Sequence, residues 1–337
     1  MRIVRQSISI STGGGDMANN VSVAMTEECG NKAPVQKKLP KKRIFTANNL
    51  ICWFIVAIPL IGFLVFNGFT IGVSFVSMFC DMEYNQLNTL TWNNYANFVE
   101  AFTNNPKVLK SIGVTLIIAS AQFVSLAIAI IIAGFLSQNI KGKRIFQTLY
   151  FVPYICSSVA VAIMWKVIFG HHGALNAIVG GETDWLNNLE NPSTLTWAIW
   201  TTIVWPSPGY GIVMYCAAFS AINPALYEAA DLDGANAFQK FWNITLPGIS
   251  NITFFLVLAG ISAGLTCFDQ ANVLAPATDG NAGPDNAGLT FMYHIYIEGV
   301  QFGHMGYASV LSWAMFVVMM IPAGVMIKKR VIELEDK

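Results

Sequence analysis

Charge is scarce in this chain. Asp, Glu, Lys and Arg make up 11% of the 337 residues and hydrophobic residues 54%, whereas soluble domains carry about a quarter charged residues. An ordinary soluble domain is therefore excluded. Catalytic signatures are also missing. The chain has no G-x-x-x-x-G-K-[ST] phosphate loop, no H-E-x-x-H and no G-x-S-x-G, so it is not expected to hydrolyse ATP, to act as an enzyme or to hold a cofactor. The six cysteines contain no C-x-x-C pair. Most sit in apolar stretches, where free cysteine acts as a small hydrophobe, and neither a metal site nor a structural disulfide is expected. His171 and His172 are adjacent, which suits loop residues better than chelation from one helix face. No apolar segment precedes residue 44, so a cleavable signal peptide is not expected.

Long uncharged runs are abundant. Six stretches free of Asp, Glu, Lys and Arg lie within 44–80, 111–140, 145–165, 191–227, 241–268 and 299–327. Each is long enough to cross a bilayer, which takes about 20 apolar residues. The reading is an all-α membrane protein with six transmembrane helices near 49–77, 111–138, 145–168, 195–221, 249–271 and 306–327. Residues 1–45 read as a disordered basic tail, 46–330 as the membrane domain and 331–337 as a short C-terminal tail. The cluster Lys37-Lys38-Leu39-Pro40-Lys41-Lys42-Arg43 suits an anchor at the inner leaflet; no nucleic-acid partner is expected. Met17 and Met25 are alternative starts. Gly68-x-x-x-Gly72 in the first span and Gly260-x-x-x-Gly264 in the fifth read as helix-packing sites. Trp205-Pro206-Ser207-Pro208-Gly209-Tyr210-Gly211 should kink the fourth span or break it into a substrate-lining segment.

The charges that remain are asymmetric. Sixteen of the 19 Lys and Arg fall before the first span, at 141–144, at 240 or after 327. Lys107 and Lys110 lie in the opposite set of loops, and Lys166 sits near the end of the third span, where it can snorkel. The positive-inside rule then puts both termini, and the loop around residue 234, in the cytoplasm of a multi-pass protein of the plasma or inner membrane.

That loop is a polar island, Glu228-Ala229-Ala230-Asp231-Leu232-Asp233-Gly234, followed after nine residues by Ile244-Thr245-Leu246-Pro247. Asn223-Pro224 is a strong helix start. Gly234 can take a positive φ and end that helix. Residues 235–246 can form a second helix, and Pro247 discourages its smooth continuation. The pattern E-A-A, three residues, G, nine residues, I-x-L-P resembles the cytoplasmic coupling loop of ABC importer permeases. Further likeness lies in Lys141-Gly142-Lys143-Arg144, Leu149 to Tyr154, Val159 to Ala162, Met164-Trp165-Lys166, Phe268-Asp269 and Gly306-Tyr307-Ala308-Ser309. Over about 45–330 the chain resembles the maltose-type carbohydrate permeases, on the MalF-like side. The family pattern L-T-x-G-G-P after Phe-Asp is longer here, Leu274 to Pro284, with only Gly283-Pro284 intact.

The resemblance implies a type I ABC importer permease fold whose coupling-helix loop spans 223–247. It implies a second permease, two ATPase subunits that hydrolyse ATP, and an extracytoplasmic solute-binding protein. In that frame Glu228 makes an ionic contact to the ATPase, Ala229 and Ala230 keep the knob slim, Asp233 and Gly234 shape the turn, and Leu232 and Phe238 are apolar anchors. Trp165, Trp205, Tyr210, Tyr215 and Asn272 are candidates for the carbohydrate path. The spans lack interior acids, against a carboxylate proton relay, and a neutral lining suits a neutral polar solute. Two alternatives stay open: an ABC permease for another solute such as glycerol phosphate or an opine-like compound, and an ATP-independent carrier or channel. The sequence names neither the sugar nor the partner subunits.

The topology is testable on a cysteine-free background. Single cysteines at 38, 142, 235 and 334 should be labelled only from the cytoplasmic side, and those at 90, 182 and 285 only from outside. Outside labelling at 235 would contradict both the topology and the coupling loop.

Overall fold

The computed structural model describes residues 47–83, 90–138 and 140–335, most of them helical. The tail 1–45, its basic cluster and Cys29 lie outside the described residues. Four helices are long and apolar enough to cross a membrane: Trp53–Ser77, Pro106–Ser137, Ser250–Leu274 and Met305–Lys328. Two bent pairs bring the number up to six if each counts as one span: Lys143–Ile155 with Ser158–Ile168, and Ser193–Ala221 with Pro224–Leu232. The last helix continues to Glu335, so 331–335 is helix rather than a separate tail; Val331-Ile332-Glu333-Leu334-Glu335 contains no breaker.

The chain divides into two units, 1–62 and 63–337. In the first, the described residues are helical from Ala47, and Trp53, Phe54, Ile55 and Ile58 are exposed. The second holds the remaining spans around Pro106–Ser137. That helix starts on Asn105, whose side chain accepts from the Lys107 amide at 3.0 Å, with Pro106 at its first position. It packs against the helices 193–204, 208–221 and 250–265.

Three buried clusters lie along it. Near one end, Ala129, Ala133 and Leu136 meet Ile212, Tyr215 and Ile249. Near the other, Val114 and Ile118 meet Leu195, Ile199, Leu289 and Tyr293. A third joins Val108 and Ala119 to Leu265, Phe291, Tyr307 and Leu311. Large apolar side chains elsewhere on the spans are exposed, as a surface facing hydrocarbon requires.

The two glycine pairs behave differently. A Cβ at Gly264 would lie 2.8 Å from the Ala119 Cα, and one at Gly260 3.4 Å from the Gln122 Cβ. The fifth and second spans therefore approach closely there. A Cβ at Gly72 would meet nothing within 4 Å and one at Gly68 only Leu64, so packing at the first span's pair is not seen.

The bends also differ from expectation. The third span is not one straight helix: its halves meet at 92°. Pro153 removes an amide, and Cys156 and Ser157 leave the helical region with ψ of 149° and 133°. The Cys156 thiol donates to the Val152 carbonyl at 3.3 Å, and Val161 N–H to the Ser157 carbonyl at 3.0 Å, so polar groups beside the bend find partners. The fourth span only kinks. Trp205 to Ser207 form a turn with right-handed helical backbone, and the Ser207 hydroxyl donates to the Ile203 carbonyl at 2.7 Å. Opposite the knob-bearing end, Ala277–Thr278 pairs with Asn281–Ala282. Asp279 and Gly280 both have positive φ in the two-residue turn between them, the geometry Asp-Gly favours.

Gly264→Val should place its branches against the Ala119 backbone and cost about 1–3 kcal/mol of stability. Gly72→Ala should cost far less. Thermal unfolding of both variants in detergent measures the difference; equal melting points would contradict the close approach.

Candidate coupling and solute sites

The loop between the fourth and fifth spans folds as a knob. Its first helix, Pro224–Leu232, starts on Asn223, whose side chain accepts from the Ala225 amide at 3.0 Å. It turns 67° from the span before it. Gly234 has φ 72°, and Ala235 N–H reaches the Ala230 carbonyl at 2.9 Å. This is a glycine-closed helix end. Asn236 caps the second helix: its side chain accepts from Gln239 N–H at 2.9 Å, and Gln239 accepts from Asn236 N–H at 2.8 Å. The spacing Asn-x-x-Gln carried that signal in the sequence. The second helix is not continuous over 235–246. It runs Ala237–Lys240, passes through a wider turn at Phe241–Thr245, resumes at Leu246–Gly248 and breaks at Ile249. Pro247 sits at the start of the resumed piece, where its missing N–H costs little.

Two contacts hold the halves of the knob together. Lys240 and Asp231 form an ion pair, and the Tyr227 and Thr245 hydroxyls lie 2.8 Å apart. Behind them is a cavity of about 480 Å³ lined by Leu226, Asn243, Ile244 and Pro247 among others. The tip faces away from the fold: Leu232 is 91% and Phe238 72% exposed, and Phe238 stacks on Trp242 with ring centres 6.0 Å apart. Glu228, Ala229, Asp233 and Gly234 are exposed and Ala230 is half-buried. Glu228 has no ion pair among the described residues. Trp242, 58% exposed, belongs to this surface too. Its presence there depends on the stacking with Phe238, which the motif does not encode.

The path candidates are only partly gathered. Trp165 and Trp205 meet edge to face with centres 6.1 Å apart, and Trp165 Nε1 is buried without a hydrogen-bond partner. An unsatisfied buried donor is costly, and a solute hydroxyl would relieve it. Tyr210 stacks instead on Tyr154, centres 5.3 Å apart, just before the bend of the third span. Tyr215 is a correction: it is 0% exposed, in the cluster with Ala129, Ala133 and Ile212. Its position facing the second span makes it core rather than path. Asn272 is half-buried on the helix Asp269–Leu274, which packs on Ser158–Ile168. The helix that carries Asn272 thus packs on the helix that carries Trp165. Two bonds clasp those helices: the Ser158 hydroxyl donates to an Asp269 carboxylate oxygen, and Lys166 Nζ to the Val273 carbonyl at 3.0 Å. Lys166 is thus tied down beside the path. His171 and His172 face each other with ring centres 4.8 Å apart, and no metal-binding group of three His, Cys, Asp or Glu occurs among the described residues.

Residues 125–328, which include the knob, match the family model described as "Binding-protein-dependent transport system inner membrane component". The chain belongs to that family. It is 34% identical over 294 residues to the "Probable ABC transporter permease protein YesP" of Bacillus subtilis (strain 168), covering 86% of this chain and 92% of that one. It is 26% identical to the arabinooligosaccharides transport system permease protein AraP of the same organism, covering 80% and 85%. The fold matches a chain of the crystal structure of a bacterial alginate ABC transporter in complex with its alginate pentasaccharide-bound periplasmic protein. That match has a TM-score of 0.70 and 20% identity, covering 83% of this chain and 93% of that one. This permease is a transport subunit, not an enzyme, and its apolar helices span a membrane.

Gly234→Val should abolish transport in this permease while leaving it in the membrane, because a β-branched residue tolerates φ 72° poorly. Nothing lies within 4 Å of a Cβ there, so backbone strain alone is tested. Normal uptake at normal expression would contradict the glycine-closed turn as a working part.

Proposed function

We propose that this chain is the sugar-conducting permease subunit of an ATP-driven importer. It pairs with a second permease, receives sugar from an extracytoplasmic binding protein and couples through 223–247 to two ATPase subunits in the cytoplasm. Both termini are cytoplasmic in this reading. The observation that carries it is the knob: an apolar tip, Leu232 and Phe238, held out on two short helices that are capped, glycine-closed and cross-braced. A rigid knob transmits displacement, whereas a flexible loop would absorb it. Exposed apolar side chains on an otherwise polar loop call for a partner surface.

The mechanism rests on that stiffness. When the ATPases close, they carry the knob as a body. The 67° corner before Pro224 and the break at Ile249 let it swing the fourth and fifth spans, and with them Trp205 and the 269–274 helix. The path then opens toward the binding protein. Glu228, exposed early in the first knob helix, supplies a carboxylate for a cation on the ATPase. Asp231 is already engaged by Lys240 and is less available.

A sugar is favoured over an anionic solute on two grounds. The aromatic faces of Trp165, Trp205, Tyr154 and Tyr210, with the free indole N–H, suit sugar rings and hydroxyls. The cation beside them, Lys166, already serves Val273. Relatives named for arabinooligosaccharides and for multiple sugars support this. The sn-glycerol-3-phosphate permease UgpA of Yersinia pestis, 28% identical over 71% of this chain, keeps the second reading in the test.

The assembled transporter in proteoliposomes should take up a neutral oligosaccharide from a solute panel, and Trp165→Ala should weaken that uptake. Uptake of glycerol phosphate alone would overturn the sugar assignment. Glu228→Gln should loosen the ATPase roughly 3–10-fold at low salt and less at high salt. Unchanged assembly, ATP hydrolysis and uptake at both salt concentrations would make Glu228 a solvated surface acid.

A further inference from the structure

One titratable cluster lies far from the knob and the aromatic path. It sits in the short helical hairpin that precedes the last span. Thr290 starts the helix Phe291–Tyr296, accepting from Tyr293 N–H at 3.2 Å, and Ile297–Gln301 continues it as a wider turn. Glu298 projects from that turn between two histidines. Its Oε2 lies 3.0 Å from His304 Nδ1 and its Oε1 3.5 Å from His294 Nε2. His294 is 1% exposed and the His304 side chain 62%.

The surroundings make this contact a junction. His304 bridges the backbone of Glu83, and Met305 N–H donates to the Met82 carbonyl at 3.1 Å. Gly306 leaves no room for a Cβ, which would collide with the Cys80 carbonyl oxygen. The loop after the first span, the hairpin and the start of the last span therefore converge on His304. A cavity of about 600 Å³ opens beside it, and Glu298, His304, Tyr307 and Asn105 line it. Other charged groups on that cavity are Asp81 and Glu83 from the first loop and Glu100 from the helix before the second span. All three are acids. Tyr307 holds Asn105 at 2.9 Å and adds no charge.

We propose that His294, Glu298 and His304 form a proton-responsive latch, in which protonated His304 pins the hairpin to the last span through Glu298. In the proposed topology this face meets the outside medium, whose pH varies. His294 is the fixed side of the latch. It is sealed from water, and neither ring nitrogen makes a hydrogen bond among the described residues; its approach to Glu298 at 3.5 Å is one of charge only. His304 is exposed, and histidine is the side chain whose charge can change between pH 5 and 8, so it is the group that responds.

Burial alone would raise the Glu298 carboxyl pKa, but bonds and charge from His294 and His304 outweigh it and hold the group below its ordinary value. That direction fixes the sign of the pH dependence. A depressed acid contributes stability that is present above its unfolded pKa, about 4.3, and is lost as pH falls through the lower folded value. With Glu298 charged, a protonated imidazole at 304 makes this a bond between opposite charges, which a neutral imidazole does not. The latch is therefore tighter on the acid side of the pH 5–8 range in which histidines change charge.

Hydrogen–deuterium exchange of the 291–306 segment in the full chain, in lipid nanodiscs at pH 5.5 and 8, tests this. After correction for intrinsic exchange rates, protection should be roughly three- to tenfold greater at pH 5.5. His304→Gln, on an exposed side chain, should fold and lose that difference. Glu298→Gln should lose it too and lower protection at pH 5.5. Equal protection of the wild type at both pH values, or a His304→Gln variant that keeps the difference, would overturn the latch.

Discussion

Hydrocarbon offers no hydrogen bonds, and every feature of this permease answers to that. Backbone groups inside a bilayer must find partners within the protein, which confines the spanning segments to helices. Several polar side chains within the spans obey the same rule. Ser111, Thr115, Ser125, Thr202 and Thr253 bond to carbonyls three or four residues earlier in their own helices. Where a helix must end, a bond is supplied on the spot. Thr290 Oγ1 donates to the Cys267 carbonyl at 2.7 Å, and Phe291 N–H donates to Thr115 Oγ1 at 2.8 Å. These bonds tie the fifth span, the hairpin before the last span and the second span into one frame.

A frame of this kind is stiff, so movement must be concentrated at the places where helical geometry is interrupted. The structure has three such places near the proposed path: the 92° bend at Cys156 and Ser157, the turn at Trp205 to Ser207, and the corner before Pro224. The knob lies beyond the last of these. Its own internal braces, the Lys240–Asp231 pair and the Tyr227–Thr245 contact, keep it from deforming where a load would be applied. In the proposed mechanism this arrangement separates a rigid lever from its hinges. Gly209 marks where the levered span bears on the bend: a Cβ there would collide with the Tyr150 carbonyl oxygen.

Much of this was legible in the sequence, for identifiable reasons. Of the six uncharged runs, four became single helices long enough to span and two lie in bent helix pairs, because length and polarity are what a bilayer selects. Asn223-Pro224 and Gly234 act locally, and the structure shows the cap and the positive φ they call for. Features set by contacts between distant segments were not legible. Gly68 and Gly72 have the same spacing as Gly260 and Gly264, but only the second pair meets another helix. Tyr215 has the chemistry of a path aromatic, but the second span covers it. The third span read as one helix, 145–168, but besides Pro153 its 92° bend required Cys156 and Ser157 to leave the helix together. His294, Glu298 and His304 come together only through the wider turn at Ile297–Gln301 and the contact with the loop after the first span.

The central claim is that the knob at 223–247 seats in an ATPase subunit. The most direct measurement is site-specific photo-crosslinking from position 232 in the assembled transporter, followed by mass spectrometry of the adduct. Leu232 is the most exposed of the knob's apolar side chains, at 91%, so a photoreactive residue there should leave the fold intact. The account predicts an adduct with the ATPase subunit whose yield changes when ATP is bound. An adduct confined to lipid or to the second permease, with the ATPase present and active, would contradict it.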